Sequence, residues 1–168
     1  TEANMTTPAR SRPLFSESET LSSEEARTQR MIQRGQRVCA EEAEAIATLL
    51  DSLGGEFARA VECILSIRGR LIVTGIGKAG WIGQKIAATF ASMGTPAHFL
   101  HPSEAVHGDL GRLHADDVVL VLSNSGRTEE VVRLLPRLRQ ETAAVIAMTS
   151  KLNSQLAQEA DIAILLPT

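Results

Sequence analysis

Two short segments of this 168-residue chain hold the residue types that bind phosphate groups. The first is "GIGKAGWIG" (residues 75–83), in which Gly75, Gly77 and Gly80 have the spacing G-x-G-x-x-G. Such glycines let the backbone turn tightly and approach an anion, and the helix that follows offers unpaired N–H groups. Lys78 places a cation inside the turn, which suits a compact phosphate or a reacting sugar oxygen.

The same glycine spacing also occurs in dinucleotide-binding folds, so NAD is an alternative ligand. Such a site needs an acidic residue about 20 residues further on, where the second strand ends, to hold the ribose hydroxyls. Here that strand is predicted to end at His101, and the first acid, Glu104, lies beyond a proline. The missing acid argues against NAD, and a measurable NAD affinity would restore this interpretation.

The second segment is "SNSGRTEE" (residues 123–130), which follows the apolar run "DVVLVL". Its three hydroxyls belong to Ser123, Ser125 and Thr128. Hydroxyls beside a glycine at the start of a helix can replace the water shell of a phosphate monoester. One hydroxyl would be enough for a plain helix N-cap, so three favour phosphate. Glu129 suits the dipole of the following helix, and Glu130 lies about one turn from the hydroxyls, within reach of a ligand.

All four histidines lie between these segments: His98, His101, His107 and His114. No pair has the i, i+4 spacing of a helical zinc site, so a catalytic metal ion is not expected. His107 is the better candidate for a substrate contact or proton transfer, because Gly108 keeps the neighbouring backbone open.

The elements that position these residues follow from the hydrophobic pattern. Five short apolar runs alternate with helical segments, at 70–75, 97–101, 117–123, 143–149 and 161–166. This pattern predicts an α/β fold, a three-layer sandwich with a five-stranded parallel sheet flanked by helices. Ligands of such folds bind at the carboxyl ends of the strands, where both segments lie. Pro136 should kink the helix predicted over residues 128–139.

Two regions precede the sheet. Residues 1–21 are rich in Ser, Thr, Glu and Pro and predict a disordered tail. Helices are predicted within residues 22–67, beginning at "SSEE" and broken at Gly54-Gly55. Apolar residues of the first helix fall near one face: Met31, Val38, Ala45, Leu49 and Leu53.

Composition is that of a globular domain, with 43% hydrophobic and 22% charged residues. A net charge of −3 and an absence of Tyr argue against nucleic acid or a membrane surface as partner. No apolar run reaches the roughly 18 residues of a membrane span, and no signal-peptide core is present. Cys39 and Cys63 match no zinc motif and are expected to be buried, reduced thiols of a cytoplasmic protein.

Taken together, the motifs resemble the SIS (sugar isomerase) domain of bacterial D-arabinose-5-phosphate isomerases, from about Arg30 to the last residue. We therefore expect an SIS domain over residues 22–168, with the N-terminal helices of residues 22–67 included. The resemblance is carried by "GKAG", "GTPA", "HPSEAVHGDLG" and "SNSGRTEE" in that order at close spacing. It implies interconversion of D-ribulose 5-phosphate and D-arabinose 5-phosphate, the entry to Kdo and lipopolysaccharide synthesis, with no required cofactor. It also implies a homo-tetramer or homo-dimer with sites near subunit interfaces.

The resemblance assigns roles to individual residues. Lys78 and Glu130 fall on residues that the family requires for catalysis. Substrate contacts fall on Gly94, Thr95 and His107. His101 falls on a zinc position of the family, and this zinc is not expected to be catalytic.

Departures from the family keep alternatives open. Relatives continue with a required glutamate in an E-A-C-P-L-G motif, a later required histidine and often paired CBS modules, which this chain does not reach. We therefore expect an incomplete active site, and Arg127 stands where relatives commonly have Glu. The alternatives are a sugar-phosphate-binding SIS module or fragment without catalysis, and another SIS sugar-phosphate isomerase, against which "HPSEAVHGDLG" argues.

Overall fold

The computed structural model describes residues 22–167, so the tail predicted over residues 1–21 lies outside the described residues. The helices are α1 (Ser23–Thr48), α2 (Gly55–Leu65), α3 (Lys78–Ser92), α4 (Pro102–Val106), α5 (Glu129–Val132), α6 (Leu135–Glu141) and α7 (Gln155–Glu159). The strands are β1 (Leu71–Gly75), β2 (Ala97–Leu100), β3 (Val118–Leu122), β4 (Ala144–Thr149) and β5 (Ile162–Leu165). Single 3₁₀ turns cover Leu49–Ser52 and Asp109–Arg112.

The five strands form one parallel sheet in the order β2-β1-β3-β4-β5. The strands β1 and β3 are buried along their whole length, as expected for apolar runs with a helical layer on each side. The predicted α/β sandwich is therefore confirmed.

Side chains alternate between the two faces of the sheet. One apolar cluster joins α2 and α3 to the sheet and includes Ala60, Val73 and Ala87. The other joins α4, α5, α6 and α7 to the opposite face and includes Ala105, Val131 and Leu156. The helix predicted over residues 128–139 is divided into α5 and α6, with Pro136 in the first turn of α6, where a missing N–H costs little.

A buried carboxylate fastens β1 to β3 at the amino edge of the sheet. Asp117 is fully buried, and its Oδ1 accepts a hydrogen bond from the Arg70 backbone N–H at 2.8 Å. Its Oδ2 accepts from the His114 backbone N–H at 3.0 Å and from the Arg70 guanidinium at 3.2 Å. These hydrogen bonds fix the register of β1 against β3, and the loops that leave the carboxyl ends of both strands are positioned by that register.

The chain divides into two units, residues 1–42 and residues 43–168, of which the second contains the sheet.

α1 begins with a capping box, as "SSEE" predicts: Glu25 N–H donates to Ser22 Oγ, and Ser22 N–H donates to the Glu25 carboxylate at 2.8 Å. This backbone hydrogen bond lowers the pKa of Glu25. The prediction of buried thiols is wrong for Cys39, which is exposed, while Cys63 is half-buried.

Candidate functional site

The two segments singled out in the sequence leave the sheet side by side. Gly75, the last residue of β1, pairs with Leu122, the last residue of β3. Adjacent strands lie about 4.8 Å apart, so the loops that follow them open into one crevice. From β1 the chain moves outward to β2 and then returns to β3 on the other side, which makes this crevice the topological switch point of the sheet. Ligands of open α/β sheets bind at such points.

The first loop places the amino end of α3 at the crevice. Gly77 is the N-cap of this 15-residue helix and has φ +60°, a left-handed conformation that favours glycine. Lys78 is the first helical residue, is exposed, and forms no ion pair with any residue in the described range 22–167. The amino end of α3 therefore carries both unpaired N–H groups and the ammonium group of Lys78, and both favour an anion.

The hydroxyls of the second loop do not act as a helix cap. Thr128 is the N-cap residue of α5, yet its side chain accepts no hydrogen bond from the helix. Its Oγ1 lies 2.9 Å from Ser123 Oγ, and Ser123 Oγ also accepts from the Gly126 N–H at 3.2 Å. One of the two paired hydroxyls donates to the other, which leaves one O–H proton for a ligand. Ser125 is exposed and keeps its own proton, because its Oγ accepts only from the Arg127 N–H.

Residues after β4 hold the second loop in shape. The Asn124 carbonyl accepts hydrogen bonds from Thr149 Oγ1 at 3.1 Å and from both the N–H and the hydroxyl of Ser150, at 3.0 and 2.9 Å. The Gly126 carbonyl accepts from the Leu156 N–H at 3.1 Å. Such bracing keeps the loop preorganised, so little ordering is needed when an anion binds.

A pocket of about 520 Å³ opens beside this loop, between the ends of β3, β4 and β5. It is lined by Ser125, Arg127, Ser150, Lys151, Leu152, Asn153 and Leu165. The lining contains two cations and no carboxylate, so its electrostatic preference is for an anion. Lys151 was not predicted from the sequence, and its only signal was its position two residues after β4.

Two histidines, His101 and His107, follow β2 in the chain, beyond the carboxyl end of that strand. His101 follows β2 and caps α4, since its Nδ1 accepts from the Ser103 N–H at 3.2 Å. His107 directly follows α4 and is exposed. Because α4 contacts α5, His107 and Glu130 come from neighbouring elements. β2 ends without an acidic residue, as expected from the sequence, so the ribose contact of a dinucleotide site has no counterpart there.

The two carboxylates of α5 differ in their surroundings. Glu129 lies 3.9 Å from the Arg133 guanidinium, one turn away on the same exposed helical surface. Glu130 is exposed and, among residues 22–167, has no ion-pair partner. Glu130 is thus the carboxylate available to a ligand held by the second loop.

Gly94 and Thr95 lie at the opposite edge of the sheet. They end α3 in a Schellman motif, with Thr95 N–H donating to the Phe90 carbonyl at 3.0 Å and Gly94 at φ +95°. Because α3 runs back along β1, its 15 residues carry the chain about 22 Å from Lys78. One copy of the chain therefore does not bring these two residues to the crevice.

His101 has one ring nitrogen engaged in the cap, which leaves only the other for a metal ion. Within residues 22–167, no three His, Cys, Asp or Glu side chains are close enough to hold a metal ion together. The zinc position at His101 stays a prediction.

Comparison with known proteins identifies the family. Residues 64–168 match the SIS domain. The chain belongs to the SIS domain family. It is 47% identical over 131 residues to the arabinose 5-phosphate isomerase KdsD of Pseudomonas aeruginosa PAO1, which covers 78% of this chain and 40% of the relative. It is 45% identical over 126 residues to the arabinose 5-phosphate isomerase GutQ of Escherichia coli K12, covering 75% of this chain and 39% of the relative.

A solved structure is also similar. The protein c3406 of E. coli CFT073, in complex with arabinose 5-phosphate, superposes with a TM-score of 0.79 at 39% identity, covering 83% of this chain and 74% of that chain. The resemblance found from the sequence motifs is thereby confirmed. The chain spans about two fifths of the length of the curated relatives it matches. In the part of this SIS chain that the structure describes, every helix is too short or too polar to cross a membrane.

Proposed function

We propose that this SIS domain is the catalytic core of an aldose–ketose isomerase that interconverts D-ribulose 5-phosphate and D-arabinose 5-phosphate for Kdo and lipopolysaccharide synthesis. The observation that carries the proposal is the convergence of Lys78 and the hydroxyl-rich loop 123–128 on one switch-point crevice. Relatives at 45–47% identity that are named arabinose 5-phosphate isomerases support the choice of sugar.

The phosphate end of the substrate binds the second loop. Ser125 and the Ser123–Thr128 pair donate hydroxyl protons, and Arg127 supplies charge from the adjacent pocket. A phosphate monoester is close to a dianion at neutral pH, so cations and preorganised donors gain more from it than from a neutral sugar.

The reaction moves one proton between C1 and C2 through an enediolate. A carboxylate acts as the base, and Glu130 is the exposed carboxylate one turn from the phosphate hydroxyls. Lys78 and the amino end of α3 stabilise the negative charge that develops on the oxygen. Hydrogen is transferred as a proton within the substrate, so we propose that no redox cofactor or catalytic metal ion takes part.

A complete site draws on more than one copy of the chain. Gly94 and Thr95 lie far from Lys78 in one copy, so contacts from them require a neighbouring subunit. We propose a homo-oligomer, dimer or tetramer, with His107 among its substrate contacts. Free thiols at Cys39 and Cys63 suit a reducing compartment, and we assign the protein to the cytoplasm.

The test is isomerisation in D₂O. Proton NMR of a form extended at its carboxyl end, so that it includes the family's further glutamate and histidine, should show D-arabinose 5-phosphate converted to D-ribulose 5-phosphate carrying deuterium at C1, with the 168-residue chain assayed beside it. Lys78→Met and Glu130→Gln should each lower turnover at least about a hundredfold. Glu129→Gln is the matched control, because Glu129 pairs with Arg133, and it should leave turnover within about twofold of the parent.

The outcomes separate the alternatives. Near-normal turnover in Lys78→Met or Glu130→Gln would refute the catalytic assignment. Saturable binding of D-arabinose 5-phosphate with no exchange would identify a sugar-phosphate-binding module, and preference for a hexulose phosphate would identify another SIS isomerase.

A further inference from the structure

A row of buried hydroxyl groups lies at the carboxyl end of the sheet, beneath the loop of residues 123–128. Five polar or charged residues are buried in the described part of the chain, and one of them is Asp117 at the opposite edge. The other four carry hydroxyls: Thr74, Ser123, Thr149 and Ser154. Burying a hydroxyl without a hydrogen bond is costly, so each member of this row needs a partner.

Thr74 differs from the other three members of the row. Ser123, Thr149 and Ser154 each form a hydrogen bond with the loop or with a helix end. Thr74 is fully buried, and its Oγ1 has no hydrogen-bond partner among the residues that the structure describes. Valine has the same shape without the polar atom and would bury at no such cost, so packing alone does not explain a threonine here.

Thr74 and Ser123 point to the same face of the sheet. Side chains alternate along a strand, and Ile72 of β1 and Val121 of β3 both belong to the apolar cluster beneath α4–α7. Thr74 and Ser123 come two residues after them. Ser123 continues the ladder past the end of β3, because its N–H donates to the Met148 carbonyl at 3.1 Å.

The strand register sets the distance between these two hydroxyls. Thr74 pairs with Val121, so Ser123 lies one strand across and two residues further along. A strand spacing of about 4.8 Å and a rise of about 3.3 Å per residue put the two Cα atoms about 8 Å apart. One water molecule with two hydrogen bonds of about 2.8 Å spans the gap that remains between the hydroxyl groups. Buried waters typically bridge polar groups that have no other partner.

We propose that Thr74 is a positioning residue for the bound phosphate, and that its hydroxyl donates through one enclosed water molecule to Ser123 Oγ. The inference rests on the proposed function, because that function places the phosphate at the loop of residues 123–128. Thr74 itself is covered by the chain, so it acts on the phosphate through Ser123.

The donation from Thr74 sets the direction of the hydrogen bond between Ser123 and Thr128. Ser123 Oγ accepts from the water and from the Gly126 N–H, which occupies both of its lone pairs and leaves its proton for Thr128 Oγ1. Thr128 is only half-buried and keeps its own proton for the phosphate. All donors of this chain then point toward the anion, and hydrogen bonds in such a chain strengthen one another.

Thr74→Val tests the chain of donors, because valine keeps the shape and removes the hydroxyl. NMR titration with inorganic phosphate should give a dissociation constant about fivefold higher for Thr74→Val than for the parent. Thr74→Ser keeps the hydroxyl and is the matched control, with a dissociation constant within about twofold of the parent. The midpoint of urea unfolding should be unchanged or higher in Thr74→Val, so the lost affinity does not come from a damaged fold.

Kinetics and crystallography give two further readouts. In an active form extended at its carboxyl end, Thr74→Val should raise the KM for D-arabinose 5-phosphate about fivefold and leave kcat within about twofold, because Lys78 and Glu130 are untouched. A crystal structure of the phosphate complex should show one ordered water molecule within hydrogen-bond distance of both Thr74 Oγ1 and Ser123 Oγ.

The outcomes separate this inference from the proposed function. Equal phosphate affinity in the parent and Thr74→Val, an equal loss of affinity in Thr74→Val and Thr74→Ser, or a phosphate complex without the bridging water would overturn the inference and leave the proposed function standing. A parent chain that binds no phosphate at residues 123–128 would overturn both.

Discussion

Gly126→Ala should destabilise the loop of residues 123–128 for two separate reasons. Gly126 has φ +61°, and a side chain in the left-handed region costs about 1–2 kcal/mol. The added Cβ would also overlap the Ser154 side chain and lie 2.9 Å from Thr149 Oγ1. Ser154 is fully buried and caps α7, so moving it sacrifices a cap of about 1 kcal/mol as well. Together these contributions give an expected loss in unfolding free energy of about 2–3 kcal/mol.

Two further glycine variants separate the cost of backbone strain from the cost of the contact between the added Cβ and Ser154. Gly77→Ala also places a side chain at positive φ, +60° with ψ −129°, but has no atom within 4 Å of the added Cβ, and should lose about 1–3 kcal/mol from backbone strain alone. Gly111→Ala has neither strain nor contact and should stay within about 0.5 kcal/mol of the parent. Urea unfolding measures all three, and NMR titration with inorganic phosphate should show weakened binding at residues 123–128 for Gly126→Ala. A Gly126→Ala variant as stable as Gly111→Ala would refute the reasoning.

Three further predictions concern charge and titration. Asp117→Ala leaves the Arg70 and His114 N–H groups without their acceptor and should lower the free energy of unfolding, measured in urea, by about 3 kcal/mol. A loss under about 1 kcal/mol would show that the Asp117 carboxylate does not stabilise the contact between β1 and β3. Burial, and then the nearby cations Arg112 and Arg70, lower the pKa of His98 in the folded chain below its ordinary value of 6.5. As the pH falls through 6.5, the unfolded chain therefore binds more protons than the folded chain, and the free energy of unfolding decreases. His98→Leu should flatten that decline between pH 7 and 5, and an unchanged slope would argue against it. Lys151→Glu should weaken phosphate binding about tenfold by calorimetry, and an unaltered affinity would exclude the pocket lined by Lys151 as a phosphate site.

The sheet could be predicted because fully buried parallel strands are unbroken apolar runs, such as "VVLVL" in β3. α4 could not, since a five-residue helix shows no amphipathic period, and its determinants are the His101 cap and Pro102. The exposure of Cys39 was mispredicted for a related reason. Its apolar neighbours indicate a covered helix face, but a sequence pattern does not reveal whether the cover comes from the same chain.

Some features of the candidate site could likewise be predicted from local sequence patterns, whereas others depend on the assembled fold. The loops holding Lys78 and Ser123 could be found because glycine and hydroxyl clusters after strands are local signals. The bracing of Asn124 by Thr149 and Ser150 depends on the pairing of β3 with β4, which no local pattern encodes. The remote position of Gly94 follows from the length and direction of α3, so only the assembled fold reveals it.

The central claim is that the crevice between β1 and β3 binds a sugar phosphate, and backbone NMR of the ¹⁵N-labelled chain tests it most directly. Titration with D-arabinose 5-phosphate should shift the amide resonances of residues 75–80 and of residues 123–128 along one shared saturation curve. Lys78→Met should lower the affinity for D-arabinose 5-phosphate. Shifts confined to other parts of the chain, or no shifts at millimolar sugar phosphate, would contradict the account.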